Sequence, residues 1–374
     1  MGTGREGCAR IRLWEHCEGM SPTAAPRLAR RRRRRVRLTV RFLQVGLLVA
    51  AVVWLVLPRL GDTASVLGLL DEVAVVPLVV GSLLGLAAIV AYAEVTMSLL
   101  PRASRPPRRR ALGVVFSSLG VNRVAPLGMA AGSAVAFGLL CREGVPRADV
   151  AFAMAVQGVG SAIVLQAILW SAALVVAPVD GFVPLTLAAV GVGGVVLALI
   201  AVALWALSRR REATARWVGR VASRCRAGSD LAAAAAVSSA GTRLDRLARD
   251  PATLLRSSAW TTVNWLADAA SLWVFLVAFG ADVSPVHALV AFGVANVVAT
   301  IPITPGGIGV VETSMAVALI ALGAPSGAAF LGVAAYRLVH YWLPIPGGAV
   351  AFAALRWSGR RAGPVPAVAP VPTR

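Results

Sequence analysis

Six ionisable residues sit inside otherwise lipid-grade apolar runs of this chain: Glu94, Arg123, Asp268, Glu312, Arg337 and His340. Each is costly in hydrocarbon and needs a partner, water or a polar ligand. Glu312 lies seven residues after Pro305, about 10 Å along a helix, and Arg337 lies ten residues into the last apolar run, about 15 Å from its outer end. That similar depth lets the two pair, either as a salt bridge that only fixes packing or as a charged grip on an anionic substrate. Asp268, in Asn264-Trp265-Leu-Ala-Asp268, sits mid-run with Asn264 one turn away on the same face, and is the better functional candidate. Glu94 reads as a snorkelling or helix-bonded carboxylate, and His340 as a packed histidine bonded to backbone. Tyr336 and Gln157 read as cavity-lining groups or as plain inter-helix hydrogen bonds.

Covalent chemistry finds no constellation to run on. The chain has no Walker sequence, no nucleophile elbow and only His16, His287 and His340. Cys8, Cys17, Cys141 and Cys225 have neither metal-ligand nor disulfide spacing and read as ordinary reduced thiols. An integral-membrane transferase working through Asp268 and Glu312 lacks the acidic pairs that would hold a metal. The expectation is therefore no catalytic residue, no metal and no cofactor, which leaves non-covalent handling of a polar group at membrane depth.

The elements that must position these residues centre on Asn296-Val-Val-Ala-Thr-Ile-Pro-Ile-Thr-Pro-Gly-Gly-Ile-Gly-Val-Val-Glu312. Pro302 and Pro305 remove backbone donors and disfavour helix upstream, while Gly306 and Gly307 permit angles that other residues avoid. A helix breaks here, and broken backbone at membrane depth survives only against protein or a wet cavity. The helix after Gly307 would aim its N–H groups at that cavity, a ready site for phosphate.

Composition supplies the setting. Of 374 residues 58% are hydrophobic and 14% charged, and mean hydropathy is +0.76, which fits an all-α polytopic integral membrane protein. The net charge of +20 comes from arginine alone, with no lysine; cytoplasmic loops facing anionic lipid account for it better than nucleic acid does. Residues 1–41 form a basic N-terminal segment with the run Arg30 to Arg35, and the late, long apolar stretch after it is not a signal peptide. The apolar runs are roughly Phe42 to Leu57, Ala74 to Leu100, Ala111 to Leu140, Val150 to Ala177, Phe182 to Leu207, Ser257 to Gly280, Val286 to Leu322 and Gly327 to Leu355.

Arginine distribution orients them. If Ala111 to Leu140 spanned, the loop Arg209 to Arg256, with its 11 arginines, would fall outside the cell. A re-entrant hairpin broken at Gly120 to Gly128 repairs the parity, with Asn122, Arg123, Pro126 and Gly128 near its tip. Val286 to Leu322 then forms a second hairpin, about Pro302 to Gly307, entering from the opposite side. This gives six full spans, two oppositely directed hairpins and both termini in the cytoplasm. Displacing the chain by 179 residues brings Pro126-x-Gly128 onto Pro305-x-Gly307 and Gly144-Val-Pro146 onto Gly323-Ala-Pro325, as an inverted repeat would.

Within the cytoplasmic loop 208–256, Arg209 to Arg226 reads either as an amphipathic helix on anionic lipid or as a solvated basic linker. Arg243 to Asp250 reads as a short surface helix. Residues 356–374 are a Pro and Ala tail.

Asn264-Trp265-x-x-Asp268, Pro302-x-x-Pro305-Gly-Gly-x-Gly309-x-x-Glu312, Gly323 and Tyr336-Arg337 resemble the flippase-like transmembrane domain of the lysylphosphatidylglycerol synthase family, over about Arg41 to Leu355. The first-half motif Asn122-x-x-x-Pro126-x-Gly128 is similar but has Gly132-Ser133 where many members carry an acid. The resemblance implies a stand-alone member without the aminoacyl-transferring domain, acting as a transporter in the cell membrane. It would move an anionic or aminoacylated phospholipid, or a polyprenyl-linked glycolipid, between leaflets. Its implied partners are membrane lipids and anionic headgroups, with envelope-synthesis enzymes as further candidates; the alternatives are a non-transporting scaffold for envelope synthesis and, behind it, an integral-membrane transferase acting on lipid-linked sugars. Substrate-handling residues on this reading are Asn264, Asp268, Asn296, Pro305, Gly306, Gly307, Glu312, Tyr336 and Arg337, with Asn122, Arg123, Pro126 and Gly128 at the first hairpin.

Overall fold

A computed structural model describes residues 75–125, 128–180, 184–210, 212–214, 216, 220, 230–299 and 307–361. All of them lie in one compact unit, Ala64–Arg374. The described elements are helical: α1 (Val75–Leu99), α2 (Arg108–Val124), α3 (Gly128–Arg142), α4 (Arg147–Asp180), α5 (Pro184–Arg209), α6 (Asp230–Ala248), α7 (Pro251–Ala278), α8 (Pro285–Ala299), α9 (Val310–Ala321), α10 (Ser326–Arg337), a π-helical turn (Leu338–Trp342) and α11 (Pro344–Arg361). Among the described residues five stretches are long and apolar enough to cross a membrane: Val75–Leu99, Arg147–Val176, Thr186–Leu207, Pro251–Ala278 and Ser326–Trp357. They match five of the six expected spans. The sixth, Phe42 to Leu57, lies outside the described residues, as do most of Arg209 to Arg226 and the tail beyond residue 361.

Proline and glycine set the boundaries. Pro251, Pro184, Pro285 and Pro344 open their helices, where a missing N–H costs nothing. Gly144, Gly280 and Gly323, at φ of 90°, 74° and 93°, stop α3, α7 and α9. After all three the chain makes the same closing bond, Val145 N–H to Leu140 O at 3.2 Å, Ala281 N–H to Leu276 O at 3.0 Å and Ala324 N–H to Leu319 O at 3.0 Å, the Schellman arrangement that satisfies a last-turn carbonyl. Pro146 and Pro325 then start α4 and α10. A displacement of 179 residues carries Leu140 onto Leu319 and Arg147 onto Ser326, so the two halves share element order and the same turn.

α2 and α3 fold back on one another. Arg110 at the start of α2 pairs with Glu143 just past α3 at 2.6 Å, so the outer ends of this hairpin lie together. α2 ends at Val124 and α3 starts at Gly128, inside the stretch Gly120 to Gly128 where a break was expected. Gly120 stays helical because α11 needs its bare Cα: a Cβ there would meet Pro344 O at 3.0 Å and Gly348 Cα at 3.2 Å. A Cβ on Gly128 would run into the Asn122 carbonyl, and one on Gly132 would meet Ser118 O at 2.7 Å. These glycines let α2 and α3 close without side-chain spacers, as small residues do between helices in lipid. α8 and α9, like α3, are apolar helices of fewer than 18 residues, too short to span alone.

The basic loop also differs from expectation. Residues 230–248 form one helix, α6, longer than a surface helix from Arg243. Arg243 pairs with Asp149 at the start of α4, and Asp250 instead caps α7, accepting from Thr253 N–H at 3.1 Å.

Candidate functional site

Asp268, Glu312, Tyr336, Arg337 and His340 join one polar network, and Arg123 reaches it from α2. α7 presents Asn264 and Ser271 towards α1, and Asp268 towards Tyr336 and His340. Asn264 Nδ2 donates to Ala88 O at 2.9 Å and Ser271 Oγ donates to Gly81 O at 2.7 Å. Gly81 and Gly85 keep that face of α1 low; a Cβ on Gly85 would meet His340 Nε2 at 2.6 Å. Asn264 is thus an inter-helix anchor, one turn from Asp268.

Asp268 Oδ1 accepts from the Tyr336 hydroxyl at 2.8 Å and lies 2.8 Å from His340 Nδ1. His340 Nε2 reaches Ser271 Oγ at 3.0 Å, and its ring stacks on Tyr336 at 4.4 Å. His340 therefore bonds side chains, contrary to the backbone partner expected. The reason is local: Pro344 has no N–H, so the carbonyl four residues earlier, that of His340, is freed. The helix widens instead, with Leu343 N–H bonding Leu338 O at 3.0 Å. Such π turns concentrate at functional sites.

Arg123 takes the freed carbonyl, donating from Nη2 to His340 O at 3.3 Å. The Tyr341 hydroxyl donates back to Arg123 O at 2.8 Å, tying the π turn to the end of α2. Two guanidiniums share the Tyr341 ring, Arg337 with Cζ 4.4 Å from its centroid and Arg123 with Cζ 5.0 Å away.

Glu312 sits in the first turn of α9. Its Oε2 accepts from Gly309 N–H at 2.8 Å, and its Oε1 accepts from Arg337 Nε at 2.7 Å. Gly309 stands at the helix start with φ 83° and has no side chain, so only the carboxylate half of a capping box exists. The start of α9 thus already holds an anion of its own, which revises the expectation of an open phosphate site there. Arg337 is 8% exposed, and its Nη2 is buried without a hydrogen-bond partner, as is Arg123 Nε.

Arg123 differs from the other charges. It lies fifteen residues beyond Arg108 along α2, about 22 Å from the basic helix start, and among the described residues no carboxylate is within ion-pair distance of it, Asp268 being engaged by Tyr336 and His340. The carbonyl end of its own helix favours a cation by about 0.3–1 kcal/mol, whereas an arginine at mid-bilayer costs about 2.5–3.5 kcal/mol. The helix end alone does not offset that cost.

Asn296 bonds back to Phe292 O in its own helix at 2.9 Å and does not join the pair. Gly307, φ 69°, leads into α9. Pro126, Pro302, Pro305 and Gly306, with the cavity expected around them, lie outside the described residues. Gln157 forms an inter-helix bond, accepting from Thr96 Oγ1 at 2.9 Å. Glu94 pairs with Arg108 at 2.8 Å, joining the end of α1 to the start of α2. A cavity of about 480 Å³ is lined by Phe137, Cys141, Arg142, Val145, Pro146 and Arg147 at the α3–α4 corner, and no member of the polar network borders it. Among the described residues no group of three metal-capable side chains occurs. Tyr341 and Ser271 escaped sequence reasoning; Tyr341, one turn after Arg337 and three before Pro344, carried the available signal.

Residues 42–348 match the sequence family described as the lysylphosphatidylglycerol synthase TM region. A UPF0104 membrane protein of Methanothermobacter thermautotrophicus is 30% identical over 88 residues, covering 24% of this chain. The matched stretch spans 26% of that relative's own length.

Proposed function

Since the chain belongs to the lysylphosphatidylglycerol synthase TM region family, a family of multi-pass membrane proteins, we propose that it moves an amphipathic anionic lipid or lipid-linked precursor between leaflets. Its substrate is an anionic or aminoacylated phospholipid or a polyprenyl-linked glycolipid. The observation that carries this reading is the buried charge network where three elements meet: Glu312 on α9, Arg337 on α10 and Arg123 at the tip of the α2–α3 hairpin. Charges at such depth mark substrate or ion paths more often than packing. Two helical hairpins in a repeated element order support alternating access, in which the hairpins enter from opposite faces. Asn264, Asp268, Glu312, Tyr336 and Arg337 line or brace the path. No transferring step is assigned to this chain.

The test is leaflet exchange by purified protein in liposomes, with fluorescent anionic, aminoacylated and polyprenyl-linked lipids compared side by side. Protein-dependent exchange of one class is the expected result and names the substrate. Folded protein that exchanges none of them would favour a scaffold for envelope synthesis instead.

A further inference from the structure

We propose that Arg123 and Arg337, grouped about the Tyr341 ring, form a seat for the phosphate group of a lipid headgroup. This rests on the transport reading above and commits it to a ligand chemistry and a place. The seat is defined by unspent donors. Arg123 Nε and Arg337 Nη2 are both buried and bond to nothing, although a buried donor ordinarily finds an acceptor. The nearby carboxylates are already engaged: Glu312 is divided between Gly309 N–H and Arg337 Nε, and Asp268 between Tyr336 and His340. Arg123 is left as a cation at membrane depth whose bonds are one to a backbone carbonyl and one contact with a ring.

The geometry is held before any ligand arrives. Tyr341 is 1% exposed and its hydroxyl is fixed on Arg123 O. Its ring lies 5.0 Å from the Arg123 Cζ and 4.4 Å from the Arg337 Cζ, so the two guanidiniums are no farther apart than the sum of those distances. Planar forks with free N–H groups match the several oxygens of a phosphate better than they match a single carboxylate. An arriving phosphate completes the donors of Arg337 without displacing Glu312 and gives Arg123 a directly bonded anion, which the engaged Asp268 does not provide. The start of α9 is not the seat, because Glu312 occupies it.

The test uses the purified full chain in neutral detergent and reads the thermal midpoint against added ligand. Dihexanoyl phosphatidate and dihexanoyl phosphatidylglycerol should raise the midpoint saturably, whereas dihexanoylglycerol and its hemisuccinate, a carboxylate control, should not. Arg123→Gln should weaken phosphate-lipid binding by about tenfold or more, the loss of one charge-assisted contact. Equal protection by the neutral or carboxylate lipid overturns the seat on the parent protein alone, even where Arg123→Gln does not fold; Arg123→Lys, which keeps the charge but not the fork, should fall between parent and Gln. Undiminished binding by folded Arg123→Gln also overturns it. Inorganic phosphate binding as tightly as the lipids would overturn the lipid assignment. Leaflet exchange run in parallel separates the two readings: selective binding without exchange removes transport and keeps the seat, and exchange untouched by Arg123→Gln keeps transport and removes the seat.

Discussion

The Glu312 carboxylate meets Arg337 Nε at 2.7 Å while its other oxygen holds the Gly309 N–H at 2.8 Å, so one side chain both caps α9 and pins it to α10. Losing it has two separable effects. Glu312→Ala strands a largely buried guanidinium and should cost about 3–5 kcal/mol of stability. Glu312→Gln keeps an acceptor for one donor and should lose much less, yet remove most leaflet exchange because the charge is gone. Thermal unfolding and exchange on both variants check this; parent-level exchange in folded Glu312→Gln would sink the assignment.

Asp268 and His340 act as a unit with Tyr336 and Ser271. Asp268→Ala and His340→Ala should therefore be non-additive, with a coupling of about 0.5–3 kcal/mol in a double-mutant cycle. Unfolding free energies that simply add would mean that the two side chains act independently.

Much of this was legible in the chain. Apolar runs and proline boundaries located the spans, and depth along a helix brought Glu312 and Arg337 together before any coordinates. The repeated Gly-x-Pro turn marked the correspondence of Leu140 with Leu319. What escaped depended on distant contacts or on altered helix register. His340 was misjudged because the widened turn before Pro344 reorients it, and sequence periodicity assumes an unbroken 3.6-residue repeat. Gly120 opens the stretch expected to break, and its role as a contact point for α11 is set by a helix more than 200 residues away. Asn296 bonds Phe292 O in its own helix, and the cavity expected beside it lies outside the described residues.

The α2–α11 crossing carries its own expectation. A Cβ on Gly348 would meet Phe116 O at 2.5 Å and Gly120 Cα at 3.0 Å, both of them backbone that cannot turn aside. Gly348→Ala should destabilise by about 1–3 kcal/mol, the usual cost of overpacking. Gly138→Ala, where nothing lies within 4 Å of the added carbon, is the control and should be near neutral by thermal unfolding.

Asp250 makes a pH-dependent contribution at the start of α7. The Thr253 hydroxyl, followed by the Thr253 amide, holds its carboxyl below the usual carboxylate range. A lowered folded value means that the stabilisation is fully present above the unfolded value and is lost as pH falls through the lowered one. Hydrogen exchange at the Thr253 amide should be slower in the parent than in Asp250→Ala at neutral pH, and the difference should vanish in acid. A difference that persists unchanged in acid would separate the cap from its charge.

The Arg110–Glu143 contact joins the outer ends of the α2–α3 hairpin, which makes its sidedness testable. Single cysteines at Arg110 and Glu143, in a background with Cys8, Cys17, Cys141 and Cys225 all changed to Ser, should both react with a membrane-impermeant maleimide from the same face of a sealed vesicle. By the repeat, Ser284 before α8 and Ser326 at the start of α10 flank the second hairpin, and cysteines there should react from the opposite face. α2, with 17 residues, is about 25 Å long, short of a hydrocarbon core of about 30 Å, so a tip held within the bilayer is the physical expectation. Labelling of Arg110 and Glu143 from opposite faces would contradict the packed hairpin itself. Labelling of all four positions from one face would leave the hairpins standing but remove their opposed direction, and with it the alternating geometry on which the transport reading leans.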